Sequence, residues 1–162
     1  MKTLICDVDN TVADQMRRLK KYFNRQSGTL DEKLAYSAKA IAKDIPIEGS
    51  AEGIRHFKRI GYRVIWLTAR KRELRKATYH WLINHDFPVD KLILVNKLRD
   101  KIEVIRKMRP DLIIDDCQYN MEHLKPLLAS EFIADIHNMG FSLVVFQNNW
   151  ADITLRYSEK PI

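Results

Sequence analysis

Three runs of consecutive apolar residues each stop at a polar side chain, and this pattern restricts the chain to few architectures. Leu4-Ile5-Cys6 ends at Asp7, Tyr62 to Leu67 (apolar except Arg63) ends at Thr68, and Leu112-Ile113-Ile114 ends at Asp115. A strand with one wet face alternates apolar and polar residues, whereas an unbroken apolar run is a strand covered on both faces. Two further strands are predicted at 91–95 and 142–146. Helical spacing of apolar residues fills the intervals: from Ser50 through Phe57 and Ile60, over 71–84 with Leu74, Ala77, Trp81 and Leu82 inward, and over 100–108. Strands alternating with amphipathic helices predict an α/β fold, a Rossmann-like parallel sheet with helices on both faces.

The alternation is interrupted once. Residues 14–25 carry Met16, Leu19, Tyr22 and Phe23 at helical spacing, and 31–43 carry Leu34, Ala38, Ile41 and Ala42, with Asp31 as a plausible N-cap. Ser27-Gly28 separates these two helices, Pro46 ends the second, and together they read as an insertion. After Leu112–Asp115 a broken helical region is predicted to about Asn138, and from Ala151 the chain reads as a loosely docked tail.

At 162 residues the chain has room for one core and a small subdomain. Its apolar share of 46% and charged share of 30% are those of a soluble globular protein, with no apolar run long enough to span a membrane. No secretory pattern follows Met1-Lys2, so a cytoplasmic location is expected. Cys6 and Cys117 read as two buried thiols. The net charge of +7 implies attraction to anions, either small phosphate compounds or nucleic acid.

The strand ends carry the chemistry. In a parallel sheet they lie along one edge, where ligands bind, so Asp7, Asp9, Thr68, Asp115 and Asp116 converge from distant segments. Four carboxylates together require a cation, and hard oxygen donors select Mg²⁺. The Thr68 hydroxyl and the Lys101 ammonium could hold a phosphoryl group there. One carboxylate is then a competent nucleophile for phosphorus, and a second can protonate the leaving oxygen and afterwards activate water.

Asp7-Val8-Asp9-Asn10-Thr11, Thr68-Ala69-Arg70, Lys101 and Ile114-Asp115-Asp116 resemble, in order, the four motifs of the haloacid dehalogenase (HAD) superfamily of phosphohydrolases. The resemblance implies Asp7 as nucleophile and magnesium ligand, and Asp9 as general acid/base that also ligates through its carbonyl. It implies Thr68 and Lys101 on the phosphoryl group, and Asp115 and Asp116 on magnesium. Asn10 stands where the superfamily commonly has Gly; Asn tolerates left-handed backbone better than most residues. Ala13-Asp14 with Arg18, and Arg75-x-x-Thr78-x-x-Trp81-Leu82, resemble the branch of polynucleotide kinase 3′-phosphatase domains and small nucleotidase-like acid phosphatases. By that resemblance Arg18 and Arg70 are candidates for contacting the substrate phosphate or its nucleoside, and Lys97 is a rival to Lys101. It also makes residues 12–45 a small helical cap over a HAD-like core formed by 1–11 and 46–150, with 151–162 as the tail.

The function expected is Mg²⁺-dependent phosphomonoester hydrolysis through an aspartyl phosphate, on a nucleotide or a polynucleotide 3′-phosphate end. The alternative is a catalytically silent, basic nucleic-acid-binding module on the same scaffold. Trp66 and Trp81 read as core, Trp150 and Tyr119 as possible surface residues, and the five histidines as lacking metal-ligand spacing. Asn120 is read as a support residue behind the acidic site.

Overall fold

The computed structural model describes residues 1–119, 127–147 and 149–158. Five parallel strands form the central sheet: β1 (Lys2–Cys6), β4 (Tyr62–Thr68), β5 (Lys91–Leu94), β6 (Leu112–Asp115) and β9 (Leu143–Val145). Their spatial order is β5-β4-β1-β6-β9, so the strand met first lies in the middle. Leu4 pairs with Val64 on one side and Leu112 on the other. The order reverses at β1, which opens a crevice beyond its carboxyl end.

The strand side chains divide by parity between two cores. Leu4, Cys6, Val64, Trp66, Leu112 and Ile114 face one core, packed against Ile54, Phe57, Trp81 and Trp150. Ile5, Ile65, Leu67 and Ile113 face the other, against Ile102, Ile105, Phe132 and Ile136. α4 (Ser50–Arg59), α5 (Arg75–Asn84) and α8 (Trp150–Ser158) therefore cover one face, and α6 (Asp100–Met108) and α7 (Ser130–Asn138) the other. Each large side chain so buried stabilises the fold by roughly 1.5–3 kcal/mol before chain entropy is charged against it.

Between β1 and α4 lie α1 (Gln15–Tyr22), a hairpin of β2 (Phe23–Asn24) and β3 (Thr29–Leu30), α2 (Glu32–Ala35) and α3 (Ala38–Ile41). The single helix expected over 31–43 is thus two short ones. Asp31 caps α2 as expected, accepting from the Leu34 N–H. Ser37 interrupts the run by accepting from the Ala40 N–H, which starts α3 afresh. The insertion closes at its base, where Asp14 N–H donates to Ile45 O at 2.9 Å and Ile47 N–H to Val12 O at 2.8 Å.

The end of the chain differs more from expectation. Within the segment read as a loose tail from Ala151, the described residues belong to helix α8, packed on α4. Tyr157 packs on Phe57 with ring centroids 5.5 Å apart, and Trp150 and Ile153 are buried. A Cβ at Gly53 would come within 2.6 Å of the Trp150 ring, so α4 admits the indole only because residue 53 has no side chain. Trp150 is therefore core, with its Nε1–H donating to Thr11 O at 2.8 Å. Two short strands, β7 (Gln118–Tyr119) and β8 (Leu127–Leu128), pair where the broken helical region was expected to begin, and α7 follows. Asn120 and His123 lie outside the described residues.

Candidate active site

The turn after β1 is built from its own backbone. The N–H groups of Thr11, Val12 and Ala13 all donate to Val8 O, and Asn10 takes φ +57°, the left-handed geometry expected of it. Asn10 does more than a glycine could. Its Oδ1 accepts from Met16 N–H and its Nδ2 donates to Gln15 Oε1, tying the turn to the first residues of α1. Thr11 fastens the turn to the next strand end, its Oγ1 accepting from Asp116 N–H at 3.0 Å.

Asp7, Asp115 and Asp116 meet at the carboxyl ends of β1 and β6, each offering one oxygen within 4.8 Å of the others. Lys101, in the first turn of α6, is buried and reaches between them. Its Nζ donates to Asp7 Oδ1 at 2.7 Å and to Asp115 Oδ2 at 2.8 Å. Asp115 Oδ1 accepts from Cys117 N–H, which fixes that carboxylate from its other side. Burial first, then the neighbouring carboxylates, pushes the Asp7 carboxyl up to about 7 despite Lys101, and Asp116 up to about 9. Against the cost of its burial, Asp115 and Asp7 hold the Lys101 ammonium charged, well above the ordinary lysine range. Lys97, the rival for this place, is exposed on the loop before α6.

Thr68, at the end of β4, is buried, and its hydroxyl has no partner among the described residues. Such a group is costly to bury unless something else meets it. Asp7, Asp9, Thr68, Lys101 and Asp116 line one cleft of about 700 Å³, with Tyr36 of the insertion also at its wall.

Asp9 lies in different company. Arg70 grips it in a fork, Nε donating to Oδ2 at 2.8 Å and Nη2 to Oδ1 at 2.7 Å, while Arg18 Nη2 reaches Oδ1 at 3.3 Å. Burial would raise this carboxyl, but the two guanidiniums outweigh it and hold it down at about 2. Arg18 and Arg70, expected on substrate phosphate, are buried and turned onto carboxylates. Arg18 Nη1 also contacts Asp44 Oδ2, from which Arg70 Nη2 stands 3.5 Å away. Burial, with the negative charge of Asp9 adding to it, pushes the Asp44 carboxyl up to about 7 against the pull of Arg18.

The Arg75-x-x-Thr78-x-x-Trp81 pattern supports this cluster. Thr78 Oγ1 accepts from Arg70 Nη1, Trp81 Nε1–H donates to Asp44 O, and Arg75 Nη1 donates to Leu92 O. Sequence reasoning missed Asp44, since an Asp just before Ile45-Pro46 reads as a turn residue.

Residues 28–131 match the family described as PITM 1-3, LNS2 domain. The chain belongs to this family. The LNS2 match takes in Thr68, Arg70, Lys101, Asp115 and Asp116, and begins after Asp7, Asp9 and Arg18. No curated protein matches the sequence. Among solved structures, this LNS2 chain is similar to the class C acid phosphatase from Bacillus anthracis with tungstate bound, with TM-score 0.62 and 16% identity over 92% of this chain and 68% of that one. It is similar to a chain of the Pnkp1/Rnl/Hen1 RNA repair complex, with TM-score 0.61 and 18% identity over 90% of this chain and 42% of that one. A third is D,D-heptose 1,7-bisphosphate phosphatase from B. bronchiseptica complexed with magnesium and phosphate, with TM-score 0.52 and 12% identity over 98% and 99% of the two chains. The chain spans less than half the length of the RNA-repair chains it matches. At these identities the likeness is one of fold. The LNS2 chain has the HAD-like Rossmann fold of these phosphatases.

Proposed function

We propose that this chain is a Mg²⁺-dependent phosphomonoester hydrolase working through a phosphoaspartate at Asp7, on a nucleotide or the 3′-phosphate end of a polynucleotide. The observation that carries the reading is the grouping of three carboxylate oxygens within 4.8 Å around one ammonium. The unpartnered Thr68 hydroxyl lines the same cleft.

The donor set fits Mg²⁺: all its side-chain donors are carboxylate oxygens, and burial beside one another raises the Asp7 and Asp116 carboxyls in the absence of a cation. Asp7, Asp115 and Asp116, with the Asp9 carbonyl, would hold the ion. When bound it neutralises these carboxylates and the charge on the phosphoryl oxygens. An Asp7 oxygen attacks phosphorus and the ester P–O bond breaks; the leaving oxygen takes its proton from Asp9 once that carboxyl is released by Arg70 and Arg18 and protonated. A water that gives its proton back to Asp9 then releases phosphate and restores Asp7. Lys101 has three N–H donors, of which Asp7 and Asp115 occupy two, leaving the third for a phosphoryl oxygen. Thr68 Oγ1 supplies another donor. Exposed Lys33, Lys71 and Lys97 around the cleft suit an anionic substrate. In this reading residues 12–45 act as a small cap, and the protein works in the cytoplasm. No helix among the described residues is long and apolar enough to cross a membrane.

A second reading, nucleic-acid binding without turnover, is favoured by the grip of Arg70 and Arg18 on Asp9, which keeps that group ionised and engaged. Phosphate release with and without Mg²⁺, from nucleoside monophosphates and 3′-phosphorylated oligonucleotides, separates the two. Selective Mg²⁺-dependent turnover that is lost in Asp7→Asn supports the hydrolase. Turnover that persists in that variant removes Asp7 as nucleophile. Oligonucleotide binding that falls steeply with salt, with no phosphate released, supports the silent module.

A further inference from the structure

Asp44 is a buried charged group to which the proposed chemistry gives no role. It sits where the insertion returns to the core, with its side chain 1% exposed. Its carboxylate contacts Arg18 and stands 3.5 Å from Arg70, while its carbonyl accepts from the Trp81 indole. Both arginines also reach Asp9, at 3.3 Å and 2.7 Å. Asp9 and Asp44 therefore share two guanidiniums. These cannot shed their charge, and without Asp44 two buried cations would face one carboxylate. At least one would turn away in search of another acceptor, and Asp9 would lose a constraint. The network is not arranged to satisfy every donor and acceptor. Arg18 Nε and Asp44 Oδ1 have no partner among the described residues. What it achieves is a fixed orientation, with Arg70 further held by Thr78.

We propose that Asp44 is a positioning residue: through Arg18 and Arg70 it sets the placement of the Asp9 carboxylate, so that the insertion controls a group of the core site. The kinetic part of the test rests on the hydrolase reading, and the spectroscopic part does not.

The full chain with Asp44→Asn and, separately, Asp44→Glu is the material for the test. Folding is checked by circular dichroism, and the Asp7 site by calorimetric titration with Mg²⁺ alone. In wild type the Arg70 Nε–H, held by Asp9 and buried, is expected to exchange slowly in ¹⁵N-resolved NMR. In D44N its exchange is expected to accelerate at least ~10-fold, with kcat down by about 10-fold or more and KM and Mg²⁺ affinity within about twofold of wild type. D44E, which keeps the charge, is expected to restore both the slow exchange and most of kcat. A folded D44N with wild-type Arg70 exchange overturns the proposal. So does a D44N whose losses appear equally in KM and Mg²⁺ affinity, since that is a general structural defect. If D44N fails to fold, D44E decides. Slow Arg70 exchange with near-wild-type kcat supports the proposal, and lost kcat with Arg70 still protected overturns it. Should wild type release no phosphate at all, the hydrolase reading falls, and Arg70 exchange alone gives the answer.

Discussion

Two clusters of four charged residues lie side by side at the mouth of the sheet, and they are balanced differently. Asp9, Asp44, Arg18 and Arg70 pair two acids with two guanidiniums. Asp7, Asp115, Asp116 and Lys101 set three acids against one ammonium, two charges short of neutrality. The first cluster holds Asp9 down at about 2, although burial carries Asp44 up to about 7, while in the second Asp7 is driven to about 7 and Asp116 to about 9. A balanced buried cluster spends its interactions on geometry, whereas an unbalanced one is a site for something positive to enter. The difference separates a cluster suited to holding its neighbours in place from one suited to taking up a cation.

Substitutions can break this contrast, and the largest effect is expected on turnover. Asp7→Asn should lower phosphate release by about 10³-fold or more while raising the melting temperature in metal-free buffer, because it removes one of three mutually repelling acids. An unchanged or lower melting temperature there would show that the second cluster is not under charge stress. Arg70→Met in the first cluster should do the opposite and destabilise by about 3–5 kcal/mol, measured by urea unfolding, since Asp9 and Asp44 are left with Arg18 alone. A loss of under ~1 kcal/mol would mean that the cluster is not held as a unit.

Metal and pH sharpen the comparison further. Mg²⁺ at about 100 times its dissociation constant should stabilise the protein by about 2.7 kcal/mol, and Asp116→Asn should remove most of that gain. In metal-free buffer the raised carboxyls make folding take up protons, since the native state keeps them where the unfolded chain, with an ordinary value of 3.8, has lost them. That part of the stability therefore falls as pH rises from about 4 through 7 to about 9, and saturating Mg²⁺ should flatten the slope, leaving only the share of Asp44, which is raised to about 7 outside the acidic group. Asp9 has the opposite sign. Its depressed carboxyl contributes stability above the ordinary value of 3.8 and loses it as pH falls toward about 2, with or without the metal. Melting temperatures across pH, taken with Mg²⁺ and with chelator, resolve the two. The smallest effect is expected at Trp150→Phe, where losing the hydrogen bond to Thr11 O should cost about 1 kcal/mol and leave Mg²⁺ binding in place.

Much of this architecture is legible in the chain because it follows from local pattern. Continuous apolar runs mark the five strands to within a residue or two, and the acids that stop β1 and β6 arrive together because parallel strands share one edge. Lys101 was separable from Lys97 by its place in the first turn of α6, and the structure points it inward. Arg18 and Arg70 were noticed, but their partners were not. No periodicity links position 18 to position 44, or 70 to 9 and 78; those pairings exist only once the insertion is folded onto α5. The C-terminal helix was missed for a similar reason. Its short amphipathic pattern means little until Gly53 is seen making room for Trp150.

That indole has a consequence for the order in which the site comes into being. β1 and the turn carrying Asp7 and Asp9 leave the ribosome well before the partners they depend on. β1 must wait for β4 and then β6 on its two sides, and Thr11 must wait for Asp116 and finally for Trp150. Most of these contacts span a large part of the sequence, which favours slow folding. A nascent chain that has not yet reached Trp150 therefore carries its carboxylates before the residues that place them, and the site is completed only when α8 is made.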